Sequence, residues 1–252
     1  VNRPGYQQIA SLPFEQRIAT LRQPEFRTRL IGETDGGGGM ARRVAKWDRI
    51  FPLGDPPDYE PSADASVAAM AARQGRDPAE VAYDLLLERD GKAILYRPLS
   101  NYSYGNLDTV HDMLTHDATI VGLGDGGAHV GVLCDSSAIS YLLTHWTRDR
   151  RRGAKVKLPW AIRRLTRDSA SAIGLVDRGV VAPGYKADIN VIDYDHLQLR
   201  QPEVVYDLPS GGRRLVQRTD GYVATIVSGV PVYRDGEATG ALPGRLVRGA
   251  SA

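Results

Sequence analysis

Two short apolar runs constrain this chain more than any other feature. They are Ala93–Leu99 (AILYRPL) and Ala118–Leu123 (ATIVGL), and each follows a segment with helical signals. Asp77-Pro78-Ala79-Glu80 reads as a capping-box start with proline in the first turn, and Val81 to Arg89 continue it to Gly91. Gly105-Asn-Leu-Asp leads into a second helix over Leu107 to Thr115, and Asp135 or Ser136 caps a third that reaches about His145. Strands that alternate with helices predict a parallel sheet with right-handed crossovers. Both runs are β-branched or aromatic enough, and short enough, to be strands of such a sheet.

The flanks read differently. Ser11 is expected to cap a helix with Pro13 early in it and Phe14, Ile18 and Leu21 on its apolar stripe; Pro24 restarts a second helix. Gly32 to Met40 (GETDGGGGM) reads as a flexible loop. Trp47 to Pro61 is rich in proline and glycine and reads as a long irregular connection, a place where function often sits. Asp64 to Arg73 is expected to be helical, with Gly75 just past its end. Lys157-Leu-Pro-Trp opens another helix that ends at Gly174. After Gly179 the pattern becomes β: Ala187–Asp193, Tyr222–Gly229 and Val230–Gly236 are short strands, with turn signals at Ser228-Gly229 and Asp235-Gly236.

Composition narrows the function classes. The formal net charge is +2, which makes no case for a nucleic acid or a membrane surface as partner. The local basic segment Arg148–Lys157 (RDRRRGAKVK) has no interleaved aromatics to stack on bases, so it reads as a solvated loop after a helix. One cysteine, Cys134, rules out an internal disulfide and a cysteine-rich metal site, which suits a cytoplasmic location. The first residue is Val, and the expectation that follows is a processed or truncated polypeptide.

The segment GLGDGGAHVG (Gly122–Gly131) follows the second apolar run. Gly122, Gly124 and Gly127 have dinucleotide-loop spacing, but that fold starts its helix at the last glycine, and here Ala128 to Leu133 intervene. Asp149 stands near the distance for the ribose-binding acid, with no strand before it. The alternative makes Asp125 a carboxylate at the C-terminal end of a parallel strand, where ligands gather in such sheets. There it could ligate a divalent cation and act as general base toward a water, with His129 as a ligand, substrate contact or proton donor. An aspartate that only caps its own turn explains the residue equally well.

Several stretches together resemble a known family. WDRIFPLGDPPDYEP, VAYDLLLERDGKAILYRPLSNYSYGNLD, MLTHDATIVGLGDGGAHVG, LLTHWTRDR, IRRLTRDSASAIGLVDRGVVAPGYKADINVIDYD and YVATIVSGVPVYRDGEATGALPGRLVRG are similar, in content and order, to the N-acyl-D-amino-acid deacylases (D-aminoacylases) of the amidohydrolase superfamily. The resemblance implies the C-terminal part of a (β/α)8 TIM-like barrel over residues 1–178, with a helical and loop insertion over about 1–62, then a small β-sandwich over 179–252. It implies a zinc-dependent hydrolase that cleaves an amide, releasing a carboxylate and a D-amino acid. Asp125 matches the position of a metal-site residue that is also the general base; Gly124 stands where relatives more often have serine.

The paired histidines and other zinc ligands of that family are not found among His111, His116, His129, His145 and His196. A complete barrel takes about 250 residues by itself. The expectation is therefore a C-terminal portion that is inactive alone, completed by the N-terminal part of the same enzyme or within a homo-oligomer. The alternative is a non-catalytic amidohydrolase-like protein or partner subunit. Arg97, Asn101 and Tyr102, at or past the end of the first strand, are the candidate substrate-binding residues with His129. An arginine fork suits a carboxylate, so acidic substrates such as N-acyl-D-Glu or D-Asp are expected. Packing and turn hydrogen bonds explain the same three residues as well. Trp47, Asp48 and Arg49 open a segment that would serve as a lid or as a surface loop with a buried tryptophan.

Overall fold

The computed structural model describes residues 3–33, 46–122 and 130–247. The chain divides into two compact units, Val1–Asn106 and Leu107–Ala252. The boundary expected at 178/179 lies inside the second unit.

The first unit is mostly helical. Helices α1 (Pro4–Ile9), α2 (Phe14–Leu21) and α3 (Pro24–Gly32) gather Ile9, Phe26 and Leu30 into a small core. Ser11 does not cap α2; the residue before its first turn is Pro13, which fixes the entry without a side-chain bond. Helix α4 (Val67–Gln74) starts later than Asp64, because Ser66 accepts the Ala69 N–H at 3.2 Å and so ends the orphan donors there. Gly75 closes it in the left-handed conformation. Helix α5 (Pro78–Gly91) opens on Asp77, whose carboxylate accepts the Ala79 N–H at 2.7 Å. Its helical geometry is lost at Glu88, Arg89 and Asp90. Between the helices lies one strand pair, β1 (Phe51–Pro52) antiparallel to β2 (Leu95–Tyr96). The core of Ile50, Val67, Ala71, Val81, Ala82 and Leu85 packs beside it.

The second unit has helix α6 (Asp108–Thr115), then α7 (Ala138–Tyr141), which continues as a π-helix over Leu142–Asp149. Helix α8 (Leu158–Arg163) likewise continues as a π-helix over Arg164–Asp168 into α9 (Ser169–Ala172). Their apolar faces meet in a core of Leu142, Leu143, Trp146, Ala161 and Leu197. Among the described residues eight strands follow: β3 (Ile189–Ile192), β4 (Gln198–Leu199), β5 (Glu203–Leu208), β6 (Gly212–Val216), β7 (Thr219–Asp220), β8 (Tyr222–Val227), β9 (Val230–Arg234) and β10 (Glu237–Ala238). One four-stranded sheet has the order β10-β9-β8-β3, and β4–β7 and β5–β6 are separate two-stranded ladders. Ser228-Gly229 and Asp235-Gly236 form the tight turns of that sheet with positive φ at both residues of each pair, as two-residue hairpins require.

Two expectations are corrected. No two strands pair in parallel among the described residues; every ladder is antiparallel. The described part of Ala118–Leu123 is not a strand. A strand exists only as a ladder, and here side chains take the backbone acceptors instead. The Thr119 carbonyl accepts from Arg164 at 3.0 Å, and the Val121 carbonyl accepts from the Ser169 hydroxyl at 2.9 Å. Those two oxygens are satisfied from the π-helical continuation of α8 and from α9, not from a neighbouring strand.

Candidate functional site

The expected centre, Asp125 and His129, lies outside the described residues. The three other candidates lie close together in sequence in the first unit. Arg97 follows β2 directly and is half-buried; Asn101 is exposed and adopts φ +59°, a conformation asparagine tolerates. Tyr102 is 3% exposed. Its hydroxyl, expected to face a substrate, donates instead to the Pro61 carbonyl.

Tyr102 sits against the Trp47–Pro61 segment. Trp47 packs on the core of the unit, and Ile50, three residues on, is buried. The Ile50 carbonyl accepts the Val67 N–H at 2.8 Å, which ties the short 3-10 turn Trp47–Arg49 to the start of α4. From that base Arg49 reaches the loop after β2. One of its terminal nitrogens donates to the Tyr102 carbonyl at 2.8 Å and the other to the Ser103 carbonyl at 3.1 Å. From the sequence Arg49 belongs to a segment expected to be a lid or a surface loop. Its partners are carbonyls some fifty positions away, which no local pattern announces.

Around β2 the surroundings are aromatic. Tyr96 meets Tyr59 edge to face at 5.4 Å. Burial pushes the Tyr96 phenol well above its ordinary range, and the neighbouring Tyr59, Tyr102 and Asp58 push it further. A phenol raised in this way stays neutral near neutral pH, the opposite of what a phenolate base needs. Asp58 accepts the Glu60 N–H at 2.8 Å, and Glu60 is itself buried. The segment is thus a polar, hydrogen-bonded wall built on an aromatic base.

In the second unit the described histidines have local work. The His116 Nδ1 accepts the Ala118 N–H at 3.1 Å. His145 stacks on Tyr141 at 4.5 Å and meets Trp146 edge to face at 5.4 Å. His111 packs beside the same tryptophan at 6.1 Å. His196 is exposed and bonds Asp193 at 2.8 Å, holding that carboxyl below the usual range; partial desolvation opposes the effect. Among the described residues no group of three histidine, cysteine, aspartate or glutamate side chains comes together. They therefore do not by themselves fit a zinc centre, which needs three or four converging donors. Cys134 is half-buried, and burial with Asp135 nearby raises its thiol, the reverse of what activates a nucleophile.

Most of the basic segment is the exposed loop expected after a helix, but Arg148 and Arg150 turn inward. Arg150 is 1% exposed: it donates to Asp108 at 2.6 Å and to the Ala154 carbonyl at 2.7 Å, and its guanidinium lies 4.7 Å over the Trp146 ring. Gly153 leaves the room, since a Cβ there would stand 2.5 Å from both the guanidinium and the Asp108 carboxylate. Arg148 donates to the carbonyls of Tyr194 and Leu197, at 2.7 Å for the latter, and stacks over Tyr194. These cations hold the second unit together.

Among the described residues no helix is long and apolar enough to cross a membrane. Three comparisons bear on what the chain is. A family model described as "Amidohydrolase family" matches residues 1–233. No curated protein matches. Among solved structures, the crystal structure of a D-aminoacylase that defines a novel subset of amidohydrolases is similar at 22% identity and a TM-score of 0.39. That match covers 77% of this chain and 36% of the other, so the chain spans about a third of that protein's length.

Proposed function

The chain belongs to the amidohydrolase family, and from that premise we propose that it is the C-terminal portion of a hydrolase that cleaves the amide bond of N-acyl-D-amino acids. The observation that carries the proposal is the family match over residues 1–233. The substrate class rests on the D-aminoacylase-like stretches, above all MLTHDATIVGLGDGGAHVG, and the barrel is part of the same proposal.

In this reading the Asp125 carboxylate is the general base. It takes a proton from the attacking water as the water oxygen bonds the acyl carbon. It then delivers that proton to the amide nitrogen as the C–N bond breaks, so the acyl group leaves as a carboxylate and the amine as a D-amino acid. The flanking Gly124, Gly126 and Gly127 remove side-chain bulk around that carboxylate. His129 contacts the substrate. Arg97, Asn101 and Tyr102 are the other proposed substrate-binding residues, with Arg97 suited to a carboxylate. Zinc belongs to the proposal only as cofactor of the intact enzyme, with ligands beyond Asp125 supplied by residues outside these 252. The 252-residue polypeptide alone would then not turn over.

The test is a substrate panel with the intact enzyme: N-acetyl-D-glutamate, N-acetyl-D-leucine and their L-forms. Hydrolysis confined to the D-series, with the acidic member preferred, supports the reading. Equal turnover of both enantiomers, or turnover of neither, removes it. A second reading, a non-catalytic family member, is favoured by the scattered histidines of the second unit. Metal analysis separates the two. Stoichiometric zinc in the intact protein, lowered in Asp125→Ala, fits the hydrolase, and a metal-free protein fits the alternative.

A further inference from the structure

We infer that Arg49 is a positioning residue that fastens the loop after β2, Leu99 to Asn106, in the form that meets the substrate. This rests on the reading that Arg97 and Asn101 line the substrate site.

Gly105 donates its N–H to the Tyr102 carbonyl at 3.2 Å and has φ +70°, so the backbone reverses there. Leu99 and Tyr104 are 72% and 82% exposed and pack on little. Such a segment is held by hydrogen bonds or not at all. Three of them come from one side. The Arg49 fork grips two consecutive carbonyls, Tyr102 and Ser103, and the Tyr102 hydroxyl grips Pro61. Both ends of this brace are in the Trp47–Pro61 segment, which the core anchors through Trp47 and Ile50.

The choice of arginine is informative. A guanidinium carries donors in a fixed planar fork, so it can hold two neighbouring acceptors at once; an ammonium is a point charge on a flexible stem. No carboxylate forms an ion pair with Arg49 among the described residues. Its charge is spent on neutral carbonyls, so it braces backbone instead of balancing an acid. The braced stretch carries Asn101 in a left-handed conformation directly beside Tyr102. Fixing Tyr102 constrains the left-handed backbone of Asn101 beside it. Holding a contact residue in its bound geometry lowers the cost of ordering it at binding, which appears in KM.

The experiment uses the intact enzyme, as wild type, Arg49→Met, Arg49→Lys and Tyr102→Phe. Amide hydrogen exchange over residues 99–106 is read beside steady-state kinetics. Exchange in that stretch should speed up about tenfold in Arg49→Met while the cores of both units keep their protection. KM for the N-acyl-D-amino acid should rise about tenfold with kcat within about twofold. Arg49→Lys should restore less than half of either effect, since charge without the fork is not the brace. Tyr102→Phe, which removes the Pro61 bond, should move both readouts in the same direction.

Unchanged exchange over 99–106 in Arg49→Met overturns the inference whatever the kinetics. Faster exchange with an unchanged KM also overturns it, since the brace would then serve stability alone, and the hydrolase reading would stand. If the wild type hydrolyses no N-acyl-D-amino acid, the function proposed above fails, and the substrate role of Arg49 falls with it.

Discussion

Arginine does unusual service in this chain, and the buried Arg150 is the plainest case. A cation with no exposed side-chain surface must be paired and hydrogen-bonded. Asp108, the Ala154 carbonyl and the face of Trp146 supply that environment, and Asp108 remains partly in solvent. Arg150→Met keeps much of the stem but loses both charge-assisted bonds. The unfolding free energy should drop by about 2–4 kcal/mol, given that such bonds are worth about 1.5–3 kcal/mol each. Urea denaturation followed by tryptophan fluorescence reads this directly, and an unchanged midpoint would show that the pocket is indifferent to the charge. The local sequence hid this residue: three consecutive arginines look like a solvated run, and only the neighbouring Gly153 hinted at a close approach.

At the scale of elements, Asp84 on α5 joins parts of the first unit. It accepts from Arg27 on α3 at 3.1 and 3.3 Å, and from Arg76 before α5. Burial would raise its carboxyl, but the hydrogen bonds from Arg76 and Arg27, with their charges, outweigh it and hold the group below its ordinary value. The sign of the linkage follows. A depressed carboxyl adds stability that is fully present above its unfolded value near 3.8 and is lost as pH falls through the folded value. The stability gap between wild type and Asp84→Asn should therefore stay constant from pH 7 to about 5 and shrink below about 4. A gap that widened on acidification would contradict the assignment.

Elements of this kind also show what was legible in the sequence. Asp77 capping α5, Gly75 ending α4 and the Ser-Gly and Asp-Gly turns of the four-stranded sheet depend on a few adjacent residues, so pattern finds them. The Ala118–Leu123 run misled because its composition is right for a strand while a strand also needs a neighbour. Arg164 and Ser169, more than forty positions away, take its carbonyls instead. Of the candidate site, Arg97 and Asn101 are proposed from their place after an apolar run. The burial of Tyr102 and the brace from Arg49 were not legible in the sequence, because their partners are backbone oxygens distant in sequence.

For the whole molecule, the account joins a family membership to one carboxylate. In the second unit His111 and His145 pack on Trp146, and Arg148 and Arg150 bind backbone and carboxylate; the proposed chemistry rests on Asp125. The measurement that tests this most directly is kcat of the intact enzyme on an N-acetyl-D-amino acid, compared between wild type and Asp125→Asn. Circular dichroism and zinc content are checked on both proteins. The account predicts that kcat falls by at least about 10²-fold with the fold retained, the loss expected when a general base is removed. A variant that turns over at the wild-type rate would show that Asp125 only caps its own turn, and that the catalytic base lies elsewhere.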